Sequence, residues 1–304
     1  MNIAEYEALR KGAGVIAWDA WGVVEVAGAD RAAFLHNLLS NDIKALTAGR
    51  ACRSALLTPN GKMIAELVVL AAVDRHWLLT PRACLASLLS TLDRYLITED
   101  VMLADRTEAW MLLALQGPKT PEIMRALSGI RAADYSITDG PGVVLMSAAN
   151  DAPALQAKLA SLGAAAASWE AANVCRVEAG VPWWGADMDE TTLLPETGLE
   201  RRLASFTKGC YVGQEIVARM DTYGSASRKL MRLTCEGTDV PTAGDQIVKD
   251  GEPVGAITSA VFSPSLHHPI ALGYIKRPHY ATHTPVTILC HGRAVSAAVE
   301  PRKS

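Results

Sequence analysis

No two of the six cysteines, Cys52, Cys84, Cys175, Cys210, Cys235 and Cys290, lie close enough in the chain to make a Cys-x-x-Cys pair. That removes the zinc-ribbon and thioredoxin-type motifs from consideration. Scattered cysteines in a chain of this length read as free thiols in a reducing compartment, so a cytoplasmic location is expected. Runs of basic residues are also missing. The 29 Lys and Arg are spread among 32 Asp and Glu, for a formal net charge of −3. A dedicated nucleic-acid surface is therefore unsupported. There is no long apolar run either. The greasiest stretch, Ile64 to Val73, contains Glu66 and is too short to cross a bilayer. The first residues carry Glu5 and Glu7 and no apolar core, unlike a secretory signal or an Arg-rich transit peptide.

What is present is an ordinary globular composition, half hydrophobic and one-fifth charged, over 304 residues. That length suggests two domains and a core that needs no metal or disulfide. Residues 14–28 read as two strands around a polar turn at Asp19. Asp30 stands where an N-cap would, before Phe34, Leu35, Leu38 and Leu39 at helical spacing. Pro59-Asn60-Gly61 separates two apolar β-type runs, which predicts a hairpin or meander. Residues 83–97 form an amphipathic helical pattern. A strand over 110–118 runs into a Gly-Pro turn and a helix near 120–127. A strand near 142–147 precedes a helix near 151–162, with Asp151 as its cap and Pro153 in its first turn. Strands and helices mixed in this order predict an α+β domain over residues 1–222. From 223 to 304 the texture changes to short strands between Gly, Pro and Asp turns, the pattern of a small barrel or sandwich.

The chemistry-bearing stretch is "TKGCYVGQEIVARM", Thr207 to Met220. Ile216, Val217 and Met220 share one helical face, and Glu215 and Arg219 make an i,i+4 pair. Cys210 would then lie just before or within the first helical turn. Orphan N–H groups, the helix dipole and Lys208 would there favour a thiolate, the form that attacks electrophiles or binds soft metals. A buried, inert thiol at a tight turn is the alternative reading.

Lys208 to Arg219, "KGCYVGQEIVAR", resembles the K-G-C-[FY]-x-G-Q-E-x-x-x-R signature of the YgfZ-type folate-binding proteins. These are relatives of the glycine-cleavage T-protein and act in assembly or repair of iron–sulfur enzymes. Arg176 to Glu200 is similar to the R-x-E-A-G-x-P-x-x-G block with its acidic continuation. Phe34 to Ile43, Ala114 to Pro118, Ile257 to Pro264 and Ile270 to Arg277 match further landmarks in order. The resemblance implies a T-protein-like fold: two α+β subdomains, one of them ferredoxin-like, and a C-terminal β-barrel around a channel for tetrahydrofolate or a derivative. It implies an accessory role, in maintaining iron–sulfur proteins or in a tRNA modification that depends on them, with iron–sulfur proteins or assembly factors as partners. The motif group would be Cys210 with Lys208, Gln214 and Glu215, and folate would meet Asn41, Arg53, Glu66, Arg176, Trp183 and Tyr211. The alternative is a folate-dependent aminomethyltransferase or demethylase that moves a one-carbon unit to tetrahydrofolate.

Where the T-protein carries paired acids, this chain has Ala65 and Glu66 in "LTPNGKMIAELVV". On that alignment Ala65 replaces the catalytic aspartate, and alanine has no proton to give or take. Glu66, on a strand, points to the opposite face. It reads either as a rescuing base or as a solvent-facing carboxylate. Residues 137–150 offer no glutamate for a pterin edge, and Ala172 stands where T-proteins place an arginine. Folate binding is accordingly expected to be weak. Trp183 and Trp184 could stack on a planar ligand or pack across a subdomain seam. Arg201 and Arg202 form a basic patch that could steer folate carboxylates or simply face solvent. His267 and His268, with Cys290 and His291, lack metal-ligand spacing, so no metal is expected.

Overall fold

The computed structural model describes residues 1–223, 226–290 and 292–302. The chain begins with α1 (Ile3–Lys11), β1 (Gly14–Ala17), β2 (Trp21–Ala27) and α2 (Arg31–Leu38), then β3 (Ala51–Leu57), β4 (Met63–Ala71), β5 (Arg75–Pro81) and α3 (Leu85–Arg94). It continues through β6 (Met102–Asp105), β7 (Trp110–Gln116), α4 (Thr120–Ala126), β8 (Arg131–Asp134), β9 (Gly142–Ala148), α5 (Ala152–Ser161), β10 (Ala165–Ala166) and α6 (Trp169–Ala179). Then follow α7 (Glu200–Leu203), α8 (Gln214–Tyr223), β11 (Arg228–Cys235), β12 (Gln246–Lys249), β13 (Glu252–Ser263), β14 (His268–Lys276), β15 (Pro285–Cys290) and β16 (Arg293–Glu300).

Two five-stranded sheets, ordered β3-β4-β5-β2-β6 and β10-β1-β7-β9-β8, are followed by a closed barrel, β11-β14-β13-β12-β15-β16. The expected hairpin forms: β3 and β4 pair antiparallel across the Pro59-Asn60-Gly61 turn, where Gly61 takes a φ of 75°. The strands either side of Asp19 do not pair with each other. β1 joins β7 and β10, while β2 joins β5 and β6, so the chain crosses between sheets at this turn.

Strand alternation then sorts the side chains into layers. Ala65, Leu67 and Val69 of β4 face a core with Phe34, Leu35, Leu88 and Leu92 from α2 and α3. Leu113, Leu115, Val143 and Leu145 face Ile123, Leu155 and Leu159 from α4 and α5. The other faces of both sheets, with Val68, Leu70, Leu112, Val144 and Met146, share a central core with Trp18, Trp21 and Tyr135. Leu230, Val261, Ile270 and Leu272 of the barrel enter that same core. Helices α2 to α5 therefore cover the outsides, while α1 and α6 join the two sheets and the barrel in the middle.

Two caps differ from expectation. Asp30 precedes α2 but its side chain makes no cap; Oδ2 instead accepts from the Asp100 backbone N–H at 2.9 Å. Asp151 likewise precedes α5 without a side-chain cap, although Pro153 does sit in the first turn. The boundary expected at 222/223 abuts residues 224 and 225, which lie outside the described residues; α8 ends at Tyr223 and the barrel's first strand begins at Arg228.

Candidate functional site

The central layer holds one carboxylate pointing inward from β4. Glu66 is 1 % exposed, so it is not a solvent-facing strand residue. Its Oε1 accepts from Arg53 Nη2 at 2.5 Å and from the Tyr135 hydroxyl at 3.0 Å. Arg53 comes from the partner strand β3, and its guanidinium lies 4.4 Å from the centroid of the Tyr135 ring. Burial opposes the Arg53 charge, but Glu66 and the Tyr135 oxygen more than restore it. Burial and the Glu66 charge push the Tyr135 phenol far above its ordinary range, so it stays a donor. Tyr135 also carries the central aromatic cluster: its ring lies 5.1 Å from Trp21 and 5.9 Å from Trp18.

Arg53 and Tyr135 form part of the wall of a cavity of about 590 Å³, together with Thr120, Pro121, Met124, Ser136 and Arg202. That volume suits a small organic molecule. One buried donor of the lining residues, Arg53 Nε, has no hydrogen-bond partner among the described residues. Arg202 lines the cavity from α7. Burial and the neighbouring Arg53 cation both depress the Arg202 guanidinium. The cavity thus offers the Tyr135 ring, the Arg53 and Arg202 cations and the Asp134 carboxylate in its lining, with Glu66 held just behind it.

Ala65 belongs to the other layer. It is fully buried among Phe34, Leu35, Leu56 and Leu67. A carboxylate there would face aliphatic side chains and pay heavily for desolvation. The expectation that Ala65 takes the place of a ligand-facing acid is corrected: the inward-facing position of the pair is Glu66.

Several predicted ligand residues are committed elsewhere. Arg176, expected at the folate, is buried with Asp187 at 2.6 Å and donates to Ser259 Oγ at 2.8 Å. Asp187 in turn accepts from the Trp183 backbone and from Thr258 and Ser259. The group pins α6 to the barrel. Asn41 donates through Nδ2 to the Arg53 carbonyl and accepts from the Asp42 N–H, so it shapes the chain rather than the cavity. Trp183 packs against Trp169 at 4.3 Å and Trp18 at 5.1 Å, the seam alternative of the sequence reading.

The Cys210 stretch is also different from expectation. α8 starts at Gln214, so of the two expected placements Cys210 takes the one before the first helical turn, in the preceding loop. Its thiol is exposed, which sets aside the buried-thiol reading; Cys52 is intermediate and the other four are buried. Lys208 gives its ammonium to backbone carbonyls. Its Nζ donates to the carbonyls of His36, Leu39 and Asn41 at 2.5, 2.6 and 3.0 Å, closing the C-terminal end of α2. Burial pulls the Lys208 ammonium down to about 8. Gln214 Oε1 accepts from the Tyr211 N–H at 3.3 Å, and the buried Tyr211 ring lies under Lys208 at 4.9 Å. Glu215 is exposed on α8. Gly213, at φ 82°, presses against the Thr58 carbonyl, so the whole segment rests on the β3–β4 turn. The motif therefore splits into a structural clamp and one exposed sulfur. His291 lies outside the described residues, and His268 Nδ1 sits 3.0 Å from the Pro269 carbonyl. No group of three His, Cys, Asp or Glu that could hold a metal occurs among the described residues.

Tyr135 was missed at the sequence level because only its partners, 69 and 82 residues away, reveal it.

Residues 1–139 match the model of the GCVT N-terminal domain, and residues 228–303 that of the glycine cleavage T-protein C-terminal barrel domain. An aminomethyltransferase of Thermotoga petrophila is 30 % identical over 90 % of this chain and 81 % of its own length. An aminomethyltransferase of Rubrobacter xylanophilus is 27 % identical over 98 % of this chain and 84 % of its own length. The crystal structure of glycine cleavage system aminomethyltransferase T from Bartonella henselae superposes with a TM-score of 0.87 at 21 % identity, covering 99 % of this chain and 88 % of that one. The α+β architecture with its closed barrel is thus the T-protein fold, and the chain belongs to the glycine-cleavage T-protein family. None of these relatives is named for iron–sulfur work. No helix among the described residues is long and apolar enough to cross a membrane.

Proposed function

We propose that the chain is a folate-dependent one-carbon transferase of the aminomethyltransferase kind, with the ligand in the cavity beside Arg53, Tyr135 and Arg202. The observation that carries this reading is the inward-facing carboxylate of Glu66, held by Arg53 and Tyr135 at the cavity wall. The lining suits tetrahydrofolate: a flat ring can lie against the aromatic wall, the unpartnered Arg53 Nε can meet a ring acceptor, and Arg202 can meet a glutamyl carboxylate. When bound, tetrahydrofolate supplies the amine nitrogen that takes the one-carbon unit. Glu66 does not itself line the cavity; its carboxylate sits behind Arg53 and Tyr135, which do, and fixes the direction in which their charge and hydroxyl face that nitrogen. Arg53 and Tyr135 in turn hold the Glu66 carboxylate in one orientation.

The test is turnover of a methylamine donor with tetrahydrofolate, read as methylenetetrahydrofolate formed. Glu66→Gln keeps an acceptor for Arg53 and Tyr135 and removes the charge that orients them, so kcat should fall on the order of 10²- to 10³-fold. A wild-type protein without folate-dependent turnover, or a Glu66→Gln variant as fast as wild type, would sink the reading.

The exposed sulfur of Cys210 supports a second reading, the accessory one that the Lys208–Arg219 resemblance implies. One thiol cannot close an iron–sulfur cluster, so a partner would have to bring the remaining ligands. Under this reading Cys210→Ser abolishes support of iron–sulfur enzyme activity in cells while leaving folate turnover intact. Unchanged support in the variant removes it.

A further inference from the structure

Two further hollows, each of about 460 Å³, share residues 129–131 as the ridge between them. One is apolar in its side chains: Leu70, Val73, Trp77 and Ile130 line it, and Arg131 is its one charged group among the described residues. The other is polar: Arg131 lines it again, with Lys158, Asp151, Ser128 and the Trp110 ring. A Cβ on Gly129 would meet nothing within 4 Å, so the ridge carries no side chain at that point. Trp77 of β5 and Trp110 of β7, from different sheets, meet edge to face with ring centroids 5.0 Å apart. Arg131 lies over Trp110 at 5.1 Å. Neither the Arg131 guanidinium nor Lys158 Nζ has an ion pair or hydrogen bond among the described residues. An arginine steadied on an indole and otherwise unanswered keeps its N–H edge free for an anion. The Trp77 Nε1 is buried, also without a partner among the described residues, so its wall favours a ring that carries acceptor atoms over a hydrocarbon one. A bare anion would leave the apolar hollow empty, and an uncharged ring would leave both cations unanswered.

We propose that this double hollow is a second ligand site, separate from the larger cavity, and that it takes a nucleoside monophosphate. The heteroaromatic ring sits in the apolar half against Trp77 and Ile130, and the phosphate meets Arg131 and Lys158. Asp151, the one carboxylate of the polar half among the described residues, accepts from the ribose hydroxyls. Each half falls in the size range of small-molecule sites, and the seam between two sheets is a usual place for one. The assignment uses none of the residues on which the folate reading stands.

The experiment is calorimetric titration of the purified full chain with adenosine 5′-monophosphate and uridine 5′-monophosphate, beside adenosine and inorganic phosphate as partial ligands. At least one nucleotide should bind about tenfold more tightly than either partial ligand. Arg131→Gln, at an exposed position, removes the charge and should weaken that nucleotide about tenfold. Ala48→Trp, at an exposed position of the apolar half, fills that half without touching either cation. It should weaken the nucleotide by a similar factor and leave inorganic phosphate unchanged. Neither position lines the larger cavity, so folate affinity should stay the same in both variants. Failure of both nucleotides to bind overturns the proposal. A nucleotide held no more tightly than inorganic phosphate removes the ring from it and overturns the class. Nucleotide affinity that either variant leaves unchanged places the ligand elsewhere and overturns the assignment to this hollow.

Discussion

Arg53 Nη2 lies 2.5 Å from Glu66 Oε1, with the two side chains 11 % and 1 % exposed. A pair so far from solvent is costly to break, because the survivor keeps its charge without a partner. Arg53→Met should therefore destabilise the fold by about 3–5 kcal/mol in denaturant titration. In a Glu66→Gln background the same substitution should cost less than half as much, since no charge is then stranded. Equal costs in the two backgrounds would show that packing, and not the charge pair, sets the price of this site.

Arg176 and Asp187 make a second buried pair, at 2.6 Å, that ties α6 to Ser259 of the barrel. Asp187→Ala should cost about 3–5 kcal/mol, with a Tm drop seen by both fluorescence and far-UV circular dichroism. Because Arg176 does not line the larger cavity, Arg176→Met in protein that remains folded should leave folate affinity unchanged.

Gly213 and Gly209 flank the exposed thiol but answer to different constraints. A Cβ on Gly213 would lie 2.6 Å from the Thr58 carbonyl, at a φ of 82° that side chains avoid. Around Gly209 the same atom meets nothing within 4 Å. Gly213→Ala should destabilise by at least about 1 kcal/mol and displace the loop, whereas Gly209→Ala should be neutral or slightly stabilising. Chemical denaturation of the two variants side by side distinguishes these outcomes.

The contrast between these residues explains what could be read from the chain alone. The β3–β4 hairpin was legible because Pro59-Asn60-Gly61 is a local signal, and the barrel because its turns are local too. That Glu66 faces away from Ala65 followed from strand alternation. Its burial did not, because that depends on Tyr135, 69 residues away. Lys208 looked like a cation for its neighbour Cys210, yet its three carbonyl partners lie 167 to 172 residues earlier. Arg176 was expected at the folate through the resemblance, and its partners Asp187 and Ser259, 11 and 83 residues on, were not legible beside it. The turn at Asp19 was visible, but the two strands it joins choose partners in different sheets, and that choice is made by distant strands. Local chemistry predicts elements; partners at long range decide which polar side chains remain for a ligand.

His76 gives a pH signature. It is 4 % exposed on β5, and neither ring nitrogen has a hydrogen-bond partner among the described residues. Burial, helped by the Arg31 cation, pulls the imidazole down to about 4. Between that value and its ordinary 6.5, the unfolded chain binds a proton that the folded chain refuses. Stability should therefore be full above pH 6.5 and fall as pH drops toward 4, by about 3 kcal/mol for this one group. His76→Phe should flatten that part of the stability–pH curve. An unaltered slope would mean that carboxylates alone set the acid limb.

The six cysteines should separate cleanly by reactivity, and the reason is burial more than intrinsic acidity. Cys210 is exposed, whereas Cys84, Cys175, Cys235 and Cys290 are buried. Cys52 is the informative case, because it is only partly covered. Burial nevertheless pushes its thiol up to about 12, with Asp42 adding to the rise, so almost none is thiolate at neutral pH. A disulfide reagent added to native protein at pH 7.5 should thus modify one thiol per chain quickly, and all six only after unfolding. Cys210→Ser should remove the fast phase entirely. If instead two thiols react quickly, or if the fast phase survives the substitution, the loop between α7 and α8 does not hold its sulfur alone in solvent. The second reading of this site would then lose the observation on which it stands.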